Sequence, residues 1–422
     1  MSRQEHRSAP GSASGAHTML KVRVFCCARA LSLAHAAGAF ANLAWARCSS
    51  FLASCVMILV TGGAGFIGAN FIHHWRSLRS EPVTILDALT YAANPATLAD
   101  LTGLGDVQLV HADIGDRAVV ESVLATYRPR AIVHLAAETH VDRSILGPEA
   151  FVQSNVVGTQ RLLESTRAYW AGLTPAERSA FRFLHVSTDE VYGSLAPDDP
   201  PAHECSPFRP NSPYAASKAA AEHFVRAYGQ TYGLPVLVVR SSNNFGPYQF
   251  PEKLIPLIIR RALDGVSLPL YGDGQQVRDW LYVTDHCEAL VRVLEAGEPH
   301  AIYNVGAGAQ LTNRVVVQRL CALLDERRPR PDGRSYTEQV EFVPDRPGHD
   351  RRYALNTSRI CRALGWRART AFDEGLRATV DWYLGRHDWL ERTGRQSYHH
   401  WPVALPDAGA SGGGPGSAAD RT

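Results

Sequence analysis

An α/β fold is predicted, a doubly wound parallel sheet of Rossmann type with a smaller, partly interleaved C-terminal substrate region, and three observations predict it. Apolar runs alternate with helix-period segments from Met57 to about Arg240, a pattern that builds a parallel sheet with helices on its faces. The first run passes into VTGGAGFIG, with Gly62, Gly65 and Gly68 at three-residue spacing. Such a turn lets backbone approach a pyrophosphate at a helix N-terminus. The second run, VTILD, ends in Asp87, nineteen residues beyond Gly68, where a carboxylate holds adenosine ribose hydroxyls and disfavours a 2′-phosphate. NAD is therefore expected rather than NADP.

The elements follow in order. After MILV and the helix that begins near Phe66 come VTILD, VQLVHADI (107–114), an amphipathic helix near 117–127, AIVHLAAET (131–139) and a helix through 150–170. FRFLHVSTDEVYG (181–193), the helix carrying Tyr214, and VLVVRSSNNFG (236–246) complete the run. Ligands of such sheets lie at the carboxyl ends of the strands, where Asp113, Ala136 with Ala137, Thr188 and Ser241 fall. The cofactor set is Gly62, Gly65, Phe66, Ile67, Gly68, Asp87, Thr90, Asp113, Ile114, Ala136 and Ala137, with Tyr214 and Lys218.

Beyond Arg240 proline and asparagine become frequent, and YGDGQQVRDWLYVTDH reads as a hairpin-like turn, a strand and a helix. The expected division is 57–240 for the NAD-binding domain, with a returning segment about 277–300, and 241–276 with 301–402 for the substrate region. Residues 1–56 read as an extension and 403–422 as a low-complexity tail, both poorly ordered.

Composition excludes some classes. With 43 basic against 41 acidic residues in 422, the formal charge of +2 argues against a nucleic-acid binder driven by bulk charge. The first 56 residues carry six Lys or Arg against Glu5 alone. They resemble a transit or weak signal segment, or an over-long start ahead of Met57. Neither a spanning helix nor a metal site is expected, since His73 and His74 have no third ligand. Cys205, Cys287, Cys321 and Cys361 are far apart, without CxxC, and read as buried thiols in a reducing, cytoplasmic setting. His140, His185 and His286 read as structural hydrogen-bonders, and Trp366, Trp382, Trp389 and Trp401 as packing for the C-terminal region.

The chemistry concentrates in HVSTDEVYG and SPYAASK, which place Thr188, Asp189, Glu190, Tyr214 and Lys218 close in sequence. Tyr214 and Lys218 are four apart on a helix and share a face, where an ammonium lowers a phenol's pKa and makes it a usable base. Adjacent carboxylates on a strand point to opposite faces, so Asp189 and Glu190 serve one pocket only if the chain turns after Thr188. That turn is predicted. Lys253, Arg278 and Arg346 supply cations suited to a diphosphate.

Taken together, TGGAGFIG, LAAETHVDRSI, STDEVYG, SPYAASK, NNFGPYQFPEKLIP, VRDWLYVTDH and DRPGHDRRYALN resemble the dTDP-glucose 4,6-dehydratase family, part of the extended short-chain dehydrogenase/reductase superfamily, over about residues 57–400. Two of these, TGGAGFIG and the YxxxK pair, mark only the superfamily, whereas the acid pair is narrower. Sugar-nucleotide epimerases of the superfamily usually lack both carboxylates, and related decarboxylases carry one. The resemblance implies that Tyr214, with Lys218 and Thr188, takes the proton of the sugar 4-hydroxyl as NAD oxidises C4. Glu190 then removes the C5 proton, Asp189 protonates the departing C6 hydroxyl, and C6 is reduced as Glu190 reprotonates C5; these implied opposite roles require different pKa values, with Asp189 the more desolvated or acid-stabilised. It further implies nucleotide-diphosphate contacts from Asn243, Lys253, Arg278, Asn313 and Arg346, with Pro269 and Tyr271 beside the base and His349 near the phosphates. A homodimer through a helical interface is implied as well. Other nucleotide-sugar epimerases, decarboxylases or dehydratases, UDP-, CDP- or GDP-linked, and a silent NAD-binding sensor are the competing readings.

Overall fold

The structure is a computed structural model, and it describes residues 57–102 and 105–394. The expectations for 1–56, for 403–422 and for Trp401 lie outside the described residues. The main elements run β1 (Ile58–Thr61), α1 (Phe66–Leu78), β2 (Val83–Asp87), β3 (Val107–His111), α2 (Arg117–Tyr127), β4 (Ala131–His134), α3 (Thr159–Ala171), β5 (Arg182–Thr188), α4 (Pro213–Tyr232) and β6 (Val236–Ser241). They continue through β7 (Asn243–Phe245), α5 (Leu254–Leu263), β8 (Leu268–Tyr271), β9 (Val277–Tyr282), α6 (Val283–Ala296), β10 (Ile302–Val305), β11 (Gln310–Thr312), α7 (Asn313–Arg327), β12 (Val340–Val343) and α8 (Phe372–Gly385).

Seven strands form one parallel sheet in the order β10-β6-β5-β4-β1-β2-β3. Its strands read as unbroken apolar runs because both faces are covered. Successive residues of β1 serve opposite cores: Ile58 and Val60 pack with Phe71, Ile72 and Trp75 of α1 and Leu290 of α6. Leu59 packs with Val120, Leu162 and Val225 from α2, α3 and α4. Burying each large aliphatic side chain there contributes about 1.5–3 kcal/mol. Strand order reverses between β1 and β4, and the crevice opens at their carboxyl ends.

A second core joins α5, α7 and α8 through Ile258, Leu320 and Leu376. Two small sheets, β11-β9-β7 and β12-β8, flank it. Several expectations are corrected here. The turn 272–276 does not close a hairpin, because β8 pairs with β12 while β9 pairs with β7 and β11. The segment that returns to the large sheet is α6 with β10, Val283–Val305, so β10 belongs to the sheet rather than to the substrate region, and β9 does not. Trp366 packs into the core of α1 and α6, whereas Trp382 and Trp389 pack in the second core. Cys205 is exposed and Cys361 half-buried; of the cysteines among the described residues, only Cys287 and Cys321 are buried thiols. His185 and His286 are fully buried, yet neither ring nitrogen of either finds a partner among the described residues; burial holds both neutral.

The predicted helix through 150–170 is not uniform. Pro148–Phe151 is α-helical, Val152–Gly158 is a π-helical segment, and α3 follows. Asn155, in that wide turn, accepts from the Glu138 N–H (2.8 Å) and donates to the Glu138 carbonyl (3.0 Å) and to Ser217 Oγ (2.8 Å). One amide thereby clamps the loop after β4 to the helix of Lys218.

Candidate active site

The crevice is a cleft of about 880 Å³, and all thirteen residues of the expected cofactor set line it. Gly62 has φ +71°, and a Cβ there would stand 2.6 Å from the backbone nitrogen of Ala136; the ends of β1 and β4 approach this closely only because the residue is glycine. A Cβ at Gly68 would lie 2.2 Å from the Gly62 carbonyl oxygen. Helix α1 starts at Phe66 with no side-chain cap at Gly65 and no acid in its first turn, so its N-terminal N–H groups are free for an anion. Asp87, at the end of β2, accepts from the N–H groups of Ala64 (2.9 Å) and Leu89 (2.8 Å). Those two bonds fix its carboxylate on the floor of the cleft. Asp113 takes the Gly115 N–H (2.6 Å), and Arg161, which the sequence did not reveal, donates to the Gly115 carbonyl (3.0 Å). A glycine-only cradle, a helix N-terminus and a fixed acid at the second strand fit a dinucleotide.

The predicted turn is present. Strand β5 ends at Thr188, and Asp189–Tyr192 form a single 3-10 turn, with the Thr188 hydroxyl accepting from the Glu190 N–H (3.3 Å) and donating to Asp189 Oδ1 (3.2 Å). Both carboxylates therefore line the same cleft as Tyr214 and Lys218. Ser212 caps α4 by accepting from the Ala215 N–H (3.1 Å), and Pro213 opens the helix, which seats Tyr214 in the first turn at the mouth of β5.

Burial pushes Asp189 well above the usual carboxylate range, and Glu190 and Asp279 push it further. Burial also raises Glu190, but Arg346, Arg278 and Lys253 oppose the rise. The acid-stabilised member is thus Asp189, the order anticipated from the sequence. Burial holds the Lys218 ammonium down at about 8, and its Nζ donates to the Val186 carbonyl on β5 (2.8 Å). The expectation for Tyr214 does not hold in this structure: burial and then Glu190 and Asp189 raise the phenol, and the only group that lowers it is the Thr188 hydroxyl. Lys218 is tethered to the strand instead.

A second cavity of about 200 Å³ adjoins the first and shares Glu190, Asn243 and Lys253 with it. All eight residues of the expected substrate set line this cavity: Asn243, Lys253, Pro269, Tyr271, Arg278, Asn313, Arg346 and His349. Lys253 donates to the Thr139 carbonyl (2.8 Å), and Arg278 donates to the Asp350 carbonyl (3.0 Å) and lies over the Tyr353 ring (4.4 Å). Arg346 stands 3.5 Å from Asp142, which also accepts from the Tyr271 hydroxyl (2.8 Å). His349 pairs with Asp345 (2.6 Å), while burial, then Arg346 and Arg278, holds it down at about 4.

The acids behind these cations are what the sequence reading missed. Asp142 pairs with Arg346 and Asp345 with His349, while Asp350 holds Arg278 through its backbone carbonyl; Asp142 lies 204 positions from Arg346, a separation that leaves no spacing signal. Asp279, fully buried on β9, accepts from the Ala309 N–H (3.0 Å) and is pushed up to about 6 by burial. Glu252 holds the Tyr91 hydroxyl across the cleft (3.2 Å). For Asp142 the one local signal was its place inside THVDRS.

Fold and cleft together define an enzyme of the extended short-chain dehydrogenase/reductase class, built to bind a dinucleotide beside a Tyr-Lys pair. Residues 59–379 match the family described as GDP-mannose 4,6 dehydratase. A dTDP-glucose 4,6-dehydratase of Xanthomonas campestris pv. campestris is 56% identical over 333 residues, 79% of this chain and 94% of that one. Among solved structures, DesIV, the dTDP-glucose 4,6-dehydratase of Streptomyces venezuelae with NAD and TYD bound, superposes with a TM-score of 0.73 at 44% identity, covering 80% of this chain and all of that one. UDP-glucose 4-epimerase of Thermus thermophilus in complex with NAD gives a TM-score of 0.69 at 34% identity over 78% of this chain and 100% of that one. This chain belongs to the dTDP-glucose 4,6-dehydratase family.

Proposed function

We propose that this protein converts dTDP-glucose to dTDP-4-keto-6-deoxyglucose, with Thr188, Asp189, Glu190, Tyr214 and Lys218 carrying the chemistry. The observation that supports this above all others is the single turn that presents Asp189 and Glu190 together to the cleft shared with Tyr214 and Lys218. The Gly62–Gly68 turn and Asp87 would hold NAD, which when bound would supply the oxidation at C4 and the return reduction at C6.

Tyr214 takes the proton of the sugar 4-hydroxyl. The Thr188 hydroxyl opposes the rise that burial, Glu190 and Asp189 impose on its phenol, and Lys218, one helical turn on, keeps a cation nearby below a pH of about 8. The 4-ketone acidifies the C5 proton, which Glu190 removes; its three neighbouring cations oppose the effect of burial and keep it available as a base. Asp189, which burial keeps protonated, gives its proton to the C6 hydroxyl, and water leaves. Glu190 then returns a proton to C5. Lys253, Arg278 and Arg346 hold the diphosphate, Asn243 and Asn313 add neutral donors, and Pro269, Tyr271 and His349 bound the base and phosphates.

Incubating the protein with dTDP-, UDP-, CDP- and GDP-glucose and reading the base-induced chromophore of the 4-keto product tests this. The expected result is fastest product formation from dTDP-glucose. Absence of the chromophore from that substrate would sink the proposal, and faster turnover of another nucleotide would reassign the base pocket.

The finer setting is also proposed. A homodimer agrees with the exposed apolar residues Leu146, Val152 and Phe224 on neighbouring helical segments. A reducing cytoplasm agrees with the four unpaired cysteines among the described residues. Sedimentation velocity decides the first, and fractionation of the native cell decides the second.

A further inference from the structure

We propose that Tyr192, Arg240 and Glu222 are positioning residues: a buried polar chain from Glu222 through Arg240 and Tyr192 to Asn304 sets where the Asp189–Glu190 turn stands relative to Tyr214 and Lys218. The inference rests on the reading of that turn as the acid and base of the elimination.

A single 3-10 turn has little stability of its own, so something outside it must fix its place. At its start the strand β5 does this. At its end stands Tyr192, whose ring is 5% exposed. Its hydroxyl accepts from Arg240 Nη1 (2.6 Å) and donates to Asn304 Oδ1 (2.8 Å). Arg240 lies on β6 and is 3% exposed. Its Nε donates to both Glu222 oxygens (3.0 and 3.1 Å), its Nη2 donates to Oε1, and its Nη1 also reaches the Glu204 carbonyl (3.0 Å).

Glu222 sits on α4, one turn beyond Lys218. One guanidinium therefore joins the acid-base turn to the helix of the Tyr-Lys pair, and Asn304 ties both to β10, where its amide donates to the Ala202 carbonyl (2.9 Å). Glu222 is also the charge that raises Lys218 against burial, so the chain reaches the cation beside Tyr214 as well.

None of these three residues lines the cleft. Their effect on a substrate must pass through the turn and the helix. Apolar side chains of the same volume would fill the space, and a buried ion pair is weak evidence of net stability. What the planar fork adds is a fixed direction, because five donors in one plane accept a single arrangement of partners.

Tyr192→Phe tests this with the ring retained, and with it the edge contact to Phe208 at 6.3 Å. The expected result is elimination slowed about tenfold, as for a misplacement below 1 Å. It is read as slower incorporation of solvent deuterium at C5, with reduced cofactor accumulating during turnover and an unchanged KM for dTDP-glucose, beside the modest fall in melting temperature that the loss of one buried hydroxyl brings. The double variant Glu222→Leu with Arg240→Met, which removes both charges at once, is expected to fold and to show the same partition.

Wild-type C5 exchange and no reduced cofactor in Tyr192→Phe, alongside loss of exchange in Glu190→Gln, overturns the positioning role. A lowered melting temperature with an unchanged balance between C4 oxidation and C5 exchange overturns it too, since that is the mark of packing alone. Full exchange in Glu190→Gln would instead overturn the reading of the turn itself.

Discussion

The two halves of the cleft hold their ligand-facing groups by opposite means. Around Gly62 and Gly68 the surface is backbone, shaped by side chains that are missing, and a single added carbon would meet the Gly62 carbonyl or Ala136 at 2.2 or 2.6 Å. Around Lys253, Arg278 and Arg346 the surface is charge, and each cation is steered by a protein oxygen: the Thr139 carbonyl, the Asp350 carbonyl and the Asp142 carboxylate. The lesson is that the first half fails sterically and nearly all at once, whereas the second weakens by degrees and responds to salt.

Substitutions that separate these behaviours follow, from the largest effect down. Glu190 belongs to both cavities, and Glu190→Gln is expected to lower turnover about 10³-fold, within the range of general acid-base catalysis, while some C4 oxidation remains. Deuterium exchange at C5 against formation of reduced cofactor checks it. Gly68→Ala is expected to weaken NAD retention about 10²-fold and leave binding of dTDP alone unchanged. Gel filtration followed by assay of the bound cofactor measures the first, and calorimetry the second. If dTDP binding fell equally, the halves would not be independent.

Arg346→Lys keeps the charge but loses the fork, so KM for dTDP-glucose is expected to rise about tenfold with kcat nearly constant. A steady-state assay at two salt concentrations resolves this, and the rise is expected to shrink at high salt. The smallest effect is a pH dependence. Lys218 is an ammonium below about 8 and neutral above it, so kcat/KM is expected to be about halved near pH 8 and to keep falling. Its contribution to stability runs the other way. Because the folded value lies below the ordinary 10.5, the cost of burying the charge is fully present below about 8 and is relieved as pH rises towards 10.5. Urea unfolding across that window, set beside the pH-rate profile, shows whether the two move in opposite directions.

Legibility in the sequence follows the same division. The stretch from Gly62 to Asp87 could be read because strand, glycine turn and helix are contiguous within about thirty residues, whereas the approach of Ala136 to Gly62 comes from the pairing of β4 with β1. The proposed catalytic group is equally compact in sequence, and the turn after Thr188 was legible with it. Substrate-side cations could be named from their motifs, but the oxygens that aim them could not, since Arg346 and Asp142 meet only after folding. Strand pairing past Arg240 was misread because turn residues such as those in YGDGQQ announce a reversal without saying which strand lies alongside. The same blindness to partners explains His185 and His286, whose ring nitrogens face no acceptor or donor among the described residues.

The π-helical segment Val152–Gly158 carries a constraint on chain length. An α-helix advances about 100° per residue, so deleting one residue there, and thereby restoring ordinary helix, would rotate all of α3 by about that angle against Phe151, whose ring meets Tyr214 edge-on at 6.4 Å. Leu162 and Leu163 would leave the core, and the Asn155 clamp would lose either Glu138 or Ser217. At this place the number of residues, as well as their identity, sets the register of α3.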